Sequence, residues 1–320
     1  MKFGFLSKHF PLEKFLKPSC IGISFSDENI KAVLLNNLSS KPSLKSAIMP
    51  IEKGSIINGR IINAAEVTKK LSIMRKDFNL PFVFFTVPDE LAYVFSTTIL
   101  VSEKSNANDN IASIIEENVP LTLDDAVFDF VPIKVVRSDV EYSASVVVAA
   151  CVKQEVEKFI QVFRKAEFEP IGCIHESQAI TNALTSKKSS GTLCIVHARG
   201  TRIGIYLVKD NLVIFSTLRS VLEEDYKKQF LDEYDKFLEY CMKYATDGGQ
   251  TIKSVLVCGE FEYAKKVVEA INDSKNNGED VKLSNVWTNV FEINKHLPDV
   301  PYEKSLSFAG PIGAALSEII

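Results

Sequence analysis

Residues 20–35 read CIGISFSDENIKAVLL, and this stretch decides the fold. Two short apolar runs flank Ser26, Asp27, Glu28 and Asn29, small and polar residues suited to a tight connection held by side-chain to backbone hydrogen bonds. The pattern returns at residues 193–208, LCIVHARGTRIGIYLV, where an apolar strand again meets a small polar turn and a second apolar strand. Ser24 and Ile30 are spaced as His197 and Ile203 are. One strand-turn-strand unit opening each half of a chain predicts two related lobes facing each other through their turns.

Length and composition fit that layout. The chain has 320 residues, 46% hydrophobic and 24% charged, enough for more than one core. A net charge of −4 implies no basic face and excludes nucleic acid as a partner. Cys20, Cys151, Cys173, Cys194, Cys241 and Cys258 form no CxxC pair, and most sit in apolar runs such as VVVAAC and VLVCG, as small buried hydrophobes of a reducing cytoplasm do. No apolar run approaches the roughly 20 residues of a membrane helix. Residues 1–18 mix lysines with phenylalanines and are interrupted by Pro11 and Pro18, so they read as a flexible leader, with weak adhesion to an anionic membrane surface as the alternative.

Between the hairpins the pattern alternates strands and helices. Residues 43–52 read as a third strand, Gly54 and Gly59 bracket a short extended piece, and Val67, Leu71, Met74 and Phe78 follow helical spacing behind a cap at Asn63. FVFFTVP (82–88) and VFSTTILV (94–101) are strands, 107–119 a helix, and 127–136 with 142–152 a hairpin whose second strand is apolar on both faces and therefore central. A helix over 153–166, a strand over 168–173 and a helix over 176–185 lead to the linker TSKKSSG. Three strands to Leu218, a helix over 229–245, the strand SVLVCG, a helix over 261–271, the strand VKLS and a small-residue helix in SFAGPIGAALSEII complete the chain.

In this order the pieces resemble the PilM family of type IV pilus assembly proteins, actin-like in fold, and more distantly FtsA. The resemblance rests on residues 21–35, on GSIINGRIIN (54–63), VPDELAYVFSTTI (87–99), NVPLTLDDAVFDF (118–130), the long run 146–184, SVLVCG (254–259) and SFAGPIGAAL (307–316). It implies an α/β, ribonuclease H-like two-lobed fold with a first lobe over 19–185, a second over 186–320, and a small α+β subdomain inserted at roughly 51–148. It also implies a nucleotide cleft gripped by both turns, and a partner: the cytoplasmic N-terminal peptide of a PilN-like single-pass membrane protein, lying between the first lobe and the inserted subdomain. Other pilus assembly proteins are further partners on this reading, and the location is cytoplasmic, peripheral to the inner membrane.

The departures from the family pattern bear on chemistry. Nucleotide-binding relatives carry at the strand ends two Asp that hold hydrated magnesium; here the positions are Ser24 and His197, poor ligands for a hard cation. The first turn has Ser26, Asp27 and Asn29, with Asp27 placing negative charge where phosphates would lie. The second keeps Gly200 and Thr201 but adds Arg199 and Arg202, either an anion site or solvated turn charges. On the adenosine side a glycine run has become Cys258, Gly259, Glu260 and Phe261, and only about ten residues follow Leu218 where relatives insert a helical subdomain, too few for one. These residues predict a degenerate nucleotide cleft with no cofactor, no metal and no catalytic residue; weak binding of ATP with magnesium in a conformational switch, and an FtsA-like membrane tether, are the alternatives. Phe84, Phe85, Tyr93 and Phe95 are the candidate walls of the peptide groove, with ordinary core as the competing reading. His175, Asp124, Asp125, Asp129 and Trp287 carry no constellation that fixes a site.

Overall fold

The computed structural model describes residues 19–36, 43–101, 107–137, 142–186, 190–245, 252–274, 278–291 and 300–317; the leader and the middle of the Ser/Lys linker lie outside them. Strands β1 (Ile21–Phe25), β2 (Asn29–Asn36) and β3 (Ser43–Pro50) form an antiparallel meander, joined in parallel by β6 (Phe82–Val87) and β10 (Glu169–His175). The sheet order is β3-β2-β1-β6-β10. Strands β11 (Thr192–Arg199), β12 (Arg202–Lys209), β13 (Leu212–Ser220), β14 (Ser254–Gly259) and β15 (Asp280–Leu283) repeat it as β13-β12-β11-β14-β15, with the same antiparallel and parallel pairings. Even the turn register is shared: Phe25 opposes Ile30 as Ala198 opposes Ile203, so the spacing read from the sequence is a structural duplication.

Helix α1 (Ala64–Phe78) starts where Asn63 accepts a hydrogen bond from the Glu66 amide at 3.1 Å and stops where Asn79 takes a left-handed φ of 51°. Its stripe of Val67, Leu71, Met74 and Phe78 packs beside Val156, Phe159 and Phe163 of α3 (Lys153–Lys165) on one face of the first sheet. Phe159 is fully buried between Phe25 and Phe85, worth about 2–3 kcal/mol of transfer free energy. The other face is covered by α7 (Ala309–Leu316), which crosses α4 (Glu176–Leu184) so tightly that a Cβ on Gly313 would lie 1.6 Å from the Ala179 carbonyl oxygen, and one on Gly22 1.9 Å from that of Pro311. With both faces covered, β1 is buried along its whole length. The second sheet packs against α5 (Tyr226–Tyr240) and α6 (Phe261–Ser274).

A third sheet, β7-β9-β8, is built from β7 (Ala92–Val101), β8 (Ala126–Arg137) and β9 (Tyr142–Val152), with α2 (Ala107–Asn118) on one face and β9 in the centre as its composition predicts. The expected insertion at roughly 51–148 spans this sheet together with elements that pack on the first one. The short hairpin β4 (Ile56–Ile57) and β5 (Arg60–Ile61), α1 and β6 all share the first lobe's core, so the separate unit begins at Ala92 and runs to Val152. Between Gly54 and Gly59 the extended piece is the short strand β4, and Asn58 and Gly59, with φ of 51° and 72°, turn it back into β5. Residues 221–225 alone join β13 to α5, which leaves no adenosine-side subdomain at that connection.

Candidate functional site

The two turns face each other across the lobes, and their polar groups are occupied from within. In the first, Ser26 donates its amide to the Asn29 carbonyl at 2.9 Å, while its hydroxyl accepts from the Asn29 amide at 3.1 Å. Asp27 accepts from the Asn58 and Gly59 amides at 3.1 and 3.3 Å, tying this turn to the β4–β5 hairpin. In the second, the Gly200 amide donates to the Glu260 carboxylate at 3.1 Å. A backbone N–H pointing into such a turn is the group that would receive a phosphate oxygen. Here a side chain of the protein takes it.

Arg199 and Arg202 are neither solvated nor free. Arg202 reaches Glu90 at 3.0 Å, Asp27 at 2.8 Å and the Asn58 side chain at 2.7 Å. Arg199, only 14% exposed, pairs with Glu90 at 3.2 Å and Glu176 at 3.3 Å. Both cations of the second lobe are therefore clamped on carboxylates of the first, with Glu90 shared between them. Beneath them Asp89 accepts from the Tyr206 hydroxyl and from the Ser177 amide, the latter at 3.0 Å, and Tyr206 lies 3.4 Å from His197 Nδ1. Burial sets the charge states. It pushes the Glu176 carboxyl up to about 8 against the opposing pull of Arg199, raises Asp89, and drives His197 well below the usual imidazole range, helped by Arg199 and Lys31. Burial also disfavours the charged Arg199, but Glu176 and Glu90 outweigh it and hold the guanidinium protonated.

Asp89, Glu176 and His197 bring donor atoms within 4.8 Å of one another, which is metal-like spacing. The carboxylates are nonetheless already engaged by a phenol and a guanidinium, and a second cation would meet Arg199 directly. Ser24, at the other expected magnesium position, is buried in β1 opposite Lys31. Gly259 is fixed by the backbone around it, since its φ is 111° and a Cβ there would lie 2.1 Å from the Ala198 carbonyl oxygen.

Of the expected cleft residues, Ser26, Asp27, Gly200, Thr201 and Glu260 do come together, around a cavity of about 180 Å³ also lined by Glu28, Arg199 and Arg202. Ser24, Asn29, His197 and Gly259 stay outside that lining. Sequence reasoning gave no role to Glu90 and Glu176, which hold the arginines, or to Tyr206, which bonds Asp89 beneath them. His175, left unassigned by its sequence, caps α4 by accepting from the Gln178 amide at 3.3 Å, and burial lowers its imidazole to about 4.

The groove candidates divide. Phe85 belongs to the first lobe's core against Phe159 and Phe163, and Phe84 packs over Gly172 beside Cys20 and Ala314, so neither walls a groove: as neighbours on β6 they point to opposite faces, and both faces are covered. Tyr93 and Phe95 are half-buried and line a cleft of about 610 Å³, between residues 92–95 of β7 and residues 215–220 of β13. Consecutive residues line it on both sides, the sign of strands seen edge-on. Among the described residues β7 pairs only with β9, and β13 only with β12, so both walls present unpaired backbone.

A family model described as type IV pilus assembly protein PilM matches residues 22–248. Among solved structures the PilM-PilN type IV pilus biogenesis complex is similar, with a TM-score of 0.75 at 14% identity over 93% of this chain and 98% of that one. The ethanolamine utilization protein EutJ from Carboxydothermus hydrogenoformans is similar with a TM-score of 0.51 at 11% identity, over 94% and 90% of the two chains. No curated protein matches by sequence. The fold is the actin-like one, two lobes of duplicated topology with a small inserted sheet.

Proposed function

The chain belongs to the PilM family of type IV pilus assembly proteins, and from that premise we propose that it is a scaffold whose lobes are held together by its own ion pairs where relatives use a nucleotide. The observation that carries this reading is the clamp of Arg199 and Arg202 on Glu90, Glu176 and Asp27. It occupies the groups a triphosphate would need, and what remains between the turns is about 180 Å³, below the roughly 300–1,000 Å³ of ordinary ligand pockets. Binding of ATP with magnesium should then be weaker than about 1 mM, where the free energy is only roughly −4 kcal/mol. Calorimetric titration of the full chain tests this; a micromolar dissociation constant would restore the ATP-dependent switch.

The partner of the scaffold is the cytoplasmic peptide of a PilN-like single-pass membrane protein, the assembly being at the inner membrane. A PilM-PilN complex shares the fold, which supports the choice. The cleft beside β7 supports the mode, although it opens between the inserted sheet and the second lobe rather than against the first lobe as the resemblance implies: an unpaired strand edge supplies backbone hydrogen bonds to an extended peptide, and Tyr93 and Phe95 supply apolar anchors. No helix among the described residues is long and apolar enough to cross a membrane, so attachment through such a partner is what the role requires.

A further inference from the structure

We propose that two copies of this chain pair antiparallel through the outer edge of β8, about a two-fold axis, to make one continuous six-stranded sheet. Among the described residues β8 is hydrogen-bonded only to β9, and its other edge is open along 12 residues. That edge is apolar: Val127, Val131, Ile133, Val135 and Val136 are 41% to 55% exposed, the densest run of exposed large hydrophobics in the chain. Long exposed apolar edges are templates for strand addition.

The sequence of the strand selects its partner. In VFDFVPIKVV (127–136), antiparallel pairing with itself about Val131, with Ile133 set aside as the extra residue of a bulge, opposes Val127 to Val136, Phe128 to Val135 and Asp129 to Lys134. Each match occurs twice across the axis, so the two exposed charges neutralise each other in both directions; neither makes an ion pair among the described residues. The neighbouring register that keeps opposed residues on one face would set Asp129 against Val131 and Lys134 against Val127.

The bulge in β8 makes this register geometrically allowed. Opposed residues in an antiparallel pair must point to the same face, which in a regular strand forbids pairing 129 with 134. Here Pro132 opposes Val146 while Lys134 opposes Ser145, with Ile133 the extra residue. Asp129 (opposite Ala149) and Lys134 (opposite Ser145) therefore share a face, as do Val127 (opposite Cys151) and Val136 (opposite Ser143). The strand β9 pairs with both halves of β8 because Ile133 is left out of the ladder, and a neighbour on the open edge can do the same, so it is the charge pairing that selects the partner. A second copy carries the same bulge at the same place and matches both halves. Pro132, which offers no N–H, falls at the centre where the ladder is interrupted anyway, and guards the edge against other strands.

A single strand pair buries less than about 1,200 Å², which places the dimer in the transient class. The test is sedimentation velocity of the full chain with circular dichroism as the folding control. Wild type should show a monomer–dimer equilibrium at concentrations up to about 100 µM; D129K and K134D should each weaken it by about tenfold or more, and the double variant D129K/K134D should recover it. Both substitutions are on exposed side chains and should leave the melting transition in place. A wild-type chain that stays monomeric at about 100 µM would overturn the self-pairing and leave the edge to a strand of another protein. A dimer indifferent to both single reversals, or not recovered by the swap, would overturn it too. Peptide binding by the β7–β13 cleft does not depend on either outcome.

Discussion

Removing the Arg199 guanidinium should expose how much of the fold hangs on the clamp. In R199M the apolar stem is kept and the charge is lost. The two carboxylates it serves are 8% and 5% exposed, so this is the buried case, where deleting one partner strands a charge at a cost of about 3–5 kcal/mol. Two features place the value at the lower end. Glu90 keeps Arg202 at 3.0 Å, and Glu176, which burial lifts to about 8 even beside Arg199, is already mostly protonated at neutral pH, so losing its cation strands little charge there. R199M should therefore destabilise the chain by about 3 kcal/mol at neutral pH, and above about pH 8, where Glu176 ionises, R199M/E176Q should recover about 1–2 kcal/mol of the larger loss. Urea denaturation of wild type, both single variants and the double variant closes the thermodynamic cycle. A loss below about 1 kcal/mol in R199M, or strictly additive losses in the double variant, would refute the claim that Arg199 holds Glu176 inside the protein.

Two further outcomes follow from the same geometry. Because Glu176 titrates near 8 in the folded protein and at an ordinary carboxyl value of 4.5 when unfolded, its contribution to stability is fully present below the lower value and is lost as pH rises through the upper one; E176Q should flatten the decline of stability between about pH 5 and about pH 9, and melting curves that fall equally in both proteins would contradict this. G313A, a change that normally favours a helix, should instead destabilise by about 1–3 kcal/mol, since the new Cβ would meet the Ala179 carbonyl oxygen where α7 crosses α4; an unchanged or raised melting temperature would show that the crossing yields.

The duplicated hairpin carries the fold because strand-turn-strand chemistry is local: the turn at Ser26–Asn29, the cap at Asn63 and the central character of β9 all depend on neighbours in sequence. What stays hidden in the sequence is set by distance in space. Glu90 meets Arg199 and Arg202 across 109 and 112 residues, and nothing in a run such as VPDELA distinguishes a solvated acid from one shared by two buried arginines. The boundary of the inserted unit is illegible for a related reason. An apolar strand such as FVFFTVP announces that it is buried, but not in which sheet, and Phe84 and Phe85 look alike whether they wall a groove or fill a core. The loss of the adenosine-side subdomain is legible because it is a matter of length, and the five residues of 221–225 leave no room.

The proposal that the chain is a scaffold whose nucleotide cleft is given over to ion pairs is tested most directly by titrating the N-terminal cytoplasmic peptide of the PilN-like partner into the full chain, with and without ATP and magnesium. The dissociation constant should be the same in both, within about threefold, and at least tenfold weaker in Y93A/F95A, a difference of about 1.4 kcal/mol. Binding that requires ATP, or peptide affinity untouched by the loss of Tyr93 and Phe95, would contradict it.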